Sequence, residues 1–137
     1  MKLDEWIKLY EKKTKEKFKP HPGFKLFFLP EKGFCEIKVD SEKKIVMIYQ
    51  ACGDGKFWRD YGLWLADLTG CIVLGTICCR KNVRAFIKLF GFSVKKEIDL
   101  DNQVKRYICV DKFNKKRGLV SPVITDKKTI YYMTMEV

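Results

Sequence analysis

The chain has 137 residues, of which 47% are hydrophobic and 14% aromatic, so it can enclose one hydrophobic core but is too short for two independent ones. No run of residues approaches the roughly eighteen uninterrupted apolar positions of a membrane-spanning helix, and the N-terminal acids Asp4 and Glu5 do not fit a signal peptide. We therefore expect a single cytoplasmic domain over residues 1–137, with a core at about 24–110 and a C-terminal extension at 111–137.

The formal net charge of +11 favours an anionic partner. Only five of the 28 basic residues are arginines. Lysine is a hydrated point charge, which suits solubility or loose phosphate contact better than base readout. The composition therefore favours a solvated lysine-rich surface, with a basic nucleic-acid-binding module as the alternative. This lysine usage is also typical of AT-rich coding and would suit a bacterial or phage source.

Six cysteines lie in apolar, strand-like segments rather than in the short loops of a disulfide scaffold, so we expect them to be reduced and buried. Cys78 and Cys79 form a direct doublet without metal-ligand spacing, and no metal site is predicted. The only histidine is His21, between two prolines. A Cys–His or Ser–His nucleophilic pair would depend on it entirely, and the sequence does not favour that chemistry.

The N-terminal third predicts one helix followed by three strands. Apolar residues recur at helical spacing from Leu3 to Tyr10, which indicates a helix over Leu3–Lys17. Pro20, Pro22 and Gly23 then prevent its continuation. The predicted strands are joined by short links and should form an antiparallel meander. They span Phe24–Leu29, Phe34–Val39 and Lys44–Gln50.

The sequence changes character at Gln50. A glycine-bearing loop over Gln50–Gly55 precedes an amphipathic helix that starts near Phe57 and ends at Thr69-Gly70. Cys71–Cys79 is continuously apolar, as in a strand covered on both faces. Strand, loop, helix and strand together predict a parallel crossover.

The C-terminal part predicts a short helix capped by Asn82 and ended by Gly91. Four strands follow, the first two flanking a tight turn at Asp101-Asn102. They span Ser93–Leu100, Val104–Val110, Leu119–Ile124 and Thr129–Glu136. The residues after Val110 either complete the sheet or pair with a second chain through an exposed edge, as in a homodimer. The predicted fold class is α/β (α+β), a mixed and mostly antiparallel sheet with one parallel strand–helix–strand crossover, flanked by helices.

The predicted loop suits a phosphate-bearing ligand. Backbone N–H groups at the start of a helix can meet phosphate charge, and Gly53 and Gly55 allow close approach. Lys56 can add a cation, whereas Asp54 opposes an anion unless its carboxylate points away or caps the helix. The fingerprints of a P-loop and of a Rossmann domain are both absent. What remains is Gln-x-x-Gly-x-Gly, beginning at Gln50.

This pattern, followed by a short helix ending in Gly91-Phe92 and then a hairpin, resembles the GNAT superfamily of acyl-CoA-dependent N-acyltransferases over about Phe24–Val110. The resemblance implies acetyl-CoA as co-substrate, an amine acceptor and no metal. It also implies that the two parallel strands splay to admit the pantetheine arm, with N–H groups of residues 52–56 on the pyrophosphate and backbone of residues 47–49 on the arm. The implied cofactor-binding residues are Met47, Ile48, Tyr49, Gln50, Cys52, Gly53, Asp54, Gly55, Lys56 and Asn82.

The proton donor that is usual in the family is missing from this chain. The family often has a tyrosine four residues before the glycine of Gly-Phe, where this chain has Ile87. This departure favours the alternative of a catalytically inactive GNAT-like binding or regulatory protein. The candidates for acid or base also have structural interpretations, as an exposed strand residue for the glutamate and as core residues for the others. These candidates are Glu36, Tyr49, Cys78 and Tyr107.

Overall fold

The computed structural model describes residues 1–78, 82–113, 115–126 and 128–137. The helices are α1 (Leu3–Thr14), α2 (Gly55–Thr69) and α3 (Val83–Leu89), and a 3₁₀ turn lies at Asp101–Gln103. The strands are β1 (Lys25–Leu29), β2 (Gly33–Asp40), β3 (Ile45–Gly53), β4 (Val73–Cys78), β5 (Phe92–Asp99), β6 (Lys105–Asp111), β7 (Arg117–Ile124) and β8 (Thr129–Glu136). None of the helices in these ranges is long and apolar enough to cross a membrane.

All eight described strands form one sheet in the order β1-β2-β3-β4-β8-β7-β6-β5. Among the described strand pairs only β3 and β4 run parallel, and α2 connects them. This arrangement confirms the predicted fold class. Strand β8 inserts between β4 and β7, so the segment after Val110 completes the sheet from within.

The two faces of the sheet carry different helices. Phe34 of β2 packs with Tyr10 of α1, which defines the α1 face. Its neighbour Cys35 packs in the main core with Trp58 of α2, because successive strand residues point to opposite faces. Phe86 of α3 belongs to the same main core, so α2 and α3 share the second face, the α2 face.

Strand β3 is longer than predicted. It continues to Gly53 in antiparallel register with β2, and Asp54 alone separates it from α2. The prediction of a loop over Gln50–Gly55 is therefore wrong. The strand extends because β2 supplies pairing partners as far as Gly33, which the local sequence of the segment does not reveal.

Two other predicted boundaries move. Helix α1 ends at Thr14 rather than Lys17, because Lys15 adopts a left-handed conformation with φ 59°. The connection between β5 and β6 contains the 3₁₀ turn Asp101–Gln103 rather than a two-residue turn. Cys79, predicted to end the apolar strand, lies outside the described residues.

Candidate functional site

The pairing between the two parallel strands ends halfway along β3. Their pairing covers Ile45–Ile48 on β3 and Val73–Thr76 on β4. Beyond that point β4 stays paired with β8, whereas β3 stays paired with β2. Within the described residues, β3 therefore has no pairing with β4 over residues 49–53; we call this edge of β3 the open edge, and residues 79–81, which follow β4, lie outside the described residues.

A β-bulge lies at the start of this open segment. Cys35 lies opposite Ala51 and Glu36 lies opposite Tyr49, so Gln50 is the extra residue on β3. Such a bulge re-aims a side chain. The Gln50 amide nitrogen donates to the Lys19 carbonyl at 2.7 Å and also to the Glu36 carboxylate.

Glu36 is a buried carboxylate with several donors. Its side chain is only 2% exposed, so its interpretation as an exposed strand residue is wrong. One carboxylate oxygen accepts the backbone N–H of His21 at 2.8 Å. The other lies 2.9 Å from His21 Nδ1 and accepts from Gln50. These contacts satisfy a group that would be costly to bury alone.

The hydrogen bonds indicate which ring nitrogen of His21 carries the proton. The Gln50 amide nitrogen and His21 Nδ1 lie 3.1 Å apart and both approach the same oxygen of Glu36. Both must donate to that oxygen, so we assign the proton of the neutral imidazole to Nδ1. Nε2 is then the acceptor, on a side chain that is 45% exposed. An imidazole oriented in this way can accept a proton from a bound molecule.

Aromatic side chains surround this pair on the α1 face. Tyr49 stacks on Phe24 with ring centroids 4.7 Å apart, and its ring lies 5.3 Å from the His21 ring. From β8, the Tyr132 hydroxyl donates to Met47 Sδ at 3.1 Å. Burial, and secondarily the nearby Tyr49, raises the pKa of Tyr132. His21 and Tyr132 therefore lie on the same face, on either side of the point where the pairing of β3 with β4 ends.

The N-terminus of α2 is already capped. The Asp54 carboxylate accepts the Phe57 N–H at 3.0 Å and lies 3.2 Å from the Lys32 ammonium. The Phe57 N–H bond first, and then Lys32, lowers the pKa of Asp54. This cap takes backbone donors of Phe57 and Lys56 that a phosphate would need.

This geometry limits the fit of a pyrophosphate. Cys52 and Gly53 are paired with β2 and do not form a nest of free donors with the helix. At this end the Gly55 amide begins α2, the side chain of Lys56 is exposed, and Lys32 lies beside the cap. The arrangement fits an anion that is held mainly by lysines and accommodated next to the Asp54 carboxylate.

The other predicted site residues lie elsewhere. Asn82 caps α3 by accepting the Ala85 N–H at 3.1 Å. Cys78 and Ile87 are buried in the main core, against which Tyr107 packs, on the α2 face. Within the described ranges, no group of three or more His, Cys, Asp or Glu side chains could hold a metal ion. Of the four catalytic candidates, the structure brings together Glu36 and Tyr49.

Sequence reasoning missed two members of the site. The sequence does not favour nucleophilic chemistry with His21, the chain's only histidine, which lies between Pro20 and Pro22. Its partner Glu36 is fifteen residues away, and the pairing depends on how the turn folds over β2. Tyr132 carries no local signal, because its position depends on the insertion of β8 beside β4.

Comparisons with known proteins add little. No family model matches the chain, and no curated protein matches it. Among solved structures, the chain is similar to the crystal structure of nourseothricin acetyltransferase, with a TM-score of 0.49 and 11% sequence identity over 88% of this chain and 69% of that one.

Proposed function

We propose that this chain binds an acyl-CoA thioester, with acetyl-CoA as the simplest case, and transfers the acyl group to an amine. One observation carries the proposal: in the part of the chain that the structure describes, β3 has no β4 partner over residues 49–53, and this edge leads directly to the start of α2. A pantetheine arm contains amide groups, which can pair with an open strand edge as a peptide does. The sequence resemblance to GNAT enzymes points to the same ligand.

The open edge also indicates how the ligand would lie. Met47 and Ile48 stay paired with β4, so the arm would begin to pair at Tyr49. Its phosphates would then lie near the Gly55 amide, Lys56 and Lys32. Asn82 caps α3 with its side chain and is less suited to ligand binding than the resemblance implies.

The reaction would be direct transfer between two bound substrates. Holding the amine against the thioester supplies proximity, and backbone donors at the open edge would stabilise charge on the carbonyl oxygen. The α1 face offers access for the amine, because His21 and Tyr49 border the open edge there and His21 is partly exposed.

Thermal unfolding with acetyl-CoA tests the binding. A ligand of the native state at about 100 times its Kd adds about 2.7 kcal/mol, which raises the Tm of a chain of this size by several degrees. The charge reversal Lys56→Glu should reduce this shift, while Lys8→Glu, on the exposed side of α1, should not. No shift at millimolar acetyl-CoA would contradict the proposal.

A second candidate is a protein that binds CoA esters without catalysis. It is favoured by Ile87, only 1% exposed in the core at the position where the resembling family often has its tyrosine acid. A thermal shift without thiol release from acetyl-CoA, across a panel of amines, would support this candidate over the enzyme.

A further inference from the structure

His21 and Glu36 form a hydrogen-bonded pair with one buried and one partly exposed side chain. Acyl-CoA binding alone does not require such a pair. The carboxylate side chain is 2% exposed and the imidazole 45% exposed, with 2.9 Å between Glu36 Oε1 and His21 Nδ1. A second hydrogen bond, from the His21 backbone N–H to the other carboxylate oxygen, fixes the turn that carries the ring. The pair thus has a fixed inner end and an accessible outer end.

Gln50 connects this pair to the open strand. It is the bulged residue of β3, and its amide donates to the Glu36 oxygen that His21 Nδ1 also approaches. The Tyr10 hydroxyl of α1 donates to the other end of the same amide at 3.3 Å. The position of the carboxylate is therefore set by the strand that borders the proposed ligand site and by the helix packed over it.

The exposed end of the pair lies beside the open edge. The His21 ring is 5.3 Å from the ring of Tyr49, which is the first residue of β3 beyond the pairing with β4. With the ring proton on Nδ1, the lone pair is on Nε2, in a side chain that is 45% exposed. A base for an acyl transfer needs this combination of reach, orientation and a free lone pair.

We propose that His21 is the general base of the acyl transfer, with Glu36 and Gln50 as the residues that position it; this inference rests on the proposed function. As the amine nitrogen attacks the thioester carbon, the C–N bond forms, the C–S bond breaks with its electron pair left on sulfur, and Nε2 takes one proton from nitrogen. The imidazolium is stabilised by Glu36 and returns its proton to solvent. The sulfur takes a proton from solvent, so that thioester and amine give amide and thiol.

The first experiment uses the fact that His21 is the only histidine. In ¹⁵N-labelled protein, long-range ¹⁵N–¹H spectra of the neutral ring should show a single tautomer, protonated at Nδ1. Glu36→Gln should give a mixture of the two ring tautomers, because the new amide can either accept a hydrogen bond from the ring or donate one to it. A neutral ring protonated at Nε2 in the unaltered protein would overturn the assignment.

The second experiment measures thiol release from acetyl-CoA with spermidine, L-lysine, glucosamine and phenethylamine as probe acceptors. His21→Asn should lower kcat/KM by about 10²-fold or more, while the thermal shift by acetyl-CoA stays unchanged. Gln50→Leu should lower kcat less. The control Lys25→Ala, exposed on the neighbouring strand, should change neither quantity.

Titratable groups of three elements surround His21. Glu36 of β2 and Tyr49 of β3 contact it, Tyr10 of α1 contacts Gln50, and Lys38 of β2 lies over the Phe24 ring that packs beside His21. Unchanged kcat/KM in His21→Asn would overturn the base assignment, as would a thermal shift without any thiol release by the unaltered protein. Absence of the thermal shift itself would instead contradict acyl-CoA binding.

Discussion

Gly33 and Gly53 lie opposite each other at the last pair of the β2–β3 ladder, with φ of 92° and 113°. A Cβ atom on Gly53 would overlap the carbonyl oxygen of Lys32. That carbonyl also accepts the N–H of Asp54 at 3.0 Å and the indole N–H of Trp58 at 2.9 Å. Gly53 belongs to the predicted phosphate-binding motif, but it is required because the backbones of residues 32–33 and 53 approach each other closely.

Replacing Gly53 should destabilise the fold itself. We expect Gly53→Ala to lower the free energy of unfolding by about 2 kcal/mol or more, because a positive φ costs a non-glycine residue about 1–3 kcal/mol and the new Cβ also meets backbone. Gly70→Ala is the matched control, with φ 72° and open space around its Cβ. Urea unfolding measures both, and equal losses would contradict the overlap at Gly53.

The Asp54 cap should make stability depend on acid. Its folded pKa lies below the 3.8 of the unfolded chain, so its ionised form contributes stability above that pH, and the contribution is lost as the pH falls through the folded pKa. Asp54→Asn retains a capping oxygen without the charge. The variant should melt at a lower temperature at neutral pH, and the difference should disappear in acid. A difference in Tm that does not change with pH would count against this account.

Tyr132 should affect stability at high pH. Burial raises its folded pKa above the unfolded value of 10.0, so its contribution is complete below pH 10 and is lost as the pH rises through the folded pKa. Tyr132→Phe removes the hydroxyl that contacts Met47 and should cost about 1 kcal/mol at neutral pH. Above pH 10 the unaltered protein should lose stability relative to the variant. Parallel stability curves for the two proteins would refute this prediction.

Two buried thiols should resist modification. Burial, assisted by Glu36, raises the pKa of Cys35 to about 12, and burial raises that of Cys109 to about 11. Both residues are fully buried, and the thiolate is the reactive form. Iodoacetamide at about pH 8, where a free thiol begins to ionise, should leave both unmodified in the native protein and alkylate both in urea, as peptide mapping would show. Alkylation of native Cys35 at the rate of a free thiol would contradict its burial.

The helices and the strand segments could be predicted because their signals are local. The apolar spacing from Leu3 to Tyr10 and the amphipathic segment after Phe57 indicate helices from neighbouring residues alone. The same is true of the crossover, since an apolar strand on each side of a helix leaves few other arrangements. The Asp54 cap and the Asn82 cap follow from residue types at helix starts.

The site itself could be predicted only in part. Glu36 and Tyr49 were candidates, but nothing near Glu36 in the sequence indicates that it is buried or that His21 is its partner. The bulge at Gln50 depends on the register between two strands, and register is set by pairing and turn geometry. The segment predicted as a loop is therefore a bulged strand, a conformation that the motif does not indicate.

The sequence by itself determined the helical and strand segments, the parallel crossover and the caps, because each depends on spacing within a few residues. The tertiary structure decided that β3 runs on to Gly53, that β8 lies beside β4, and that His21, Glu36 and Gln50 meet. These features depend on backbone pairing and burial between segments distant in the chain. Such contacts arise only when the whole sheet forms, and they place a histidine beside the open edge of β3.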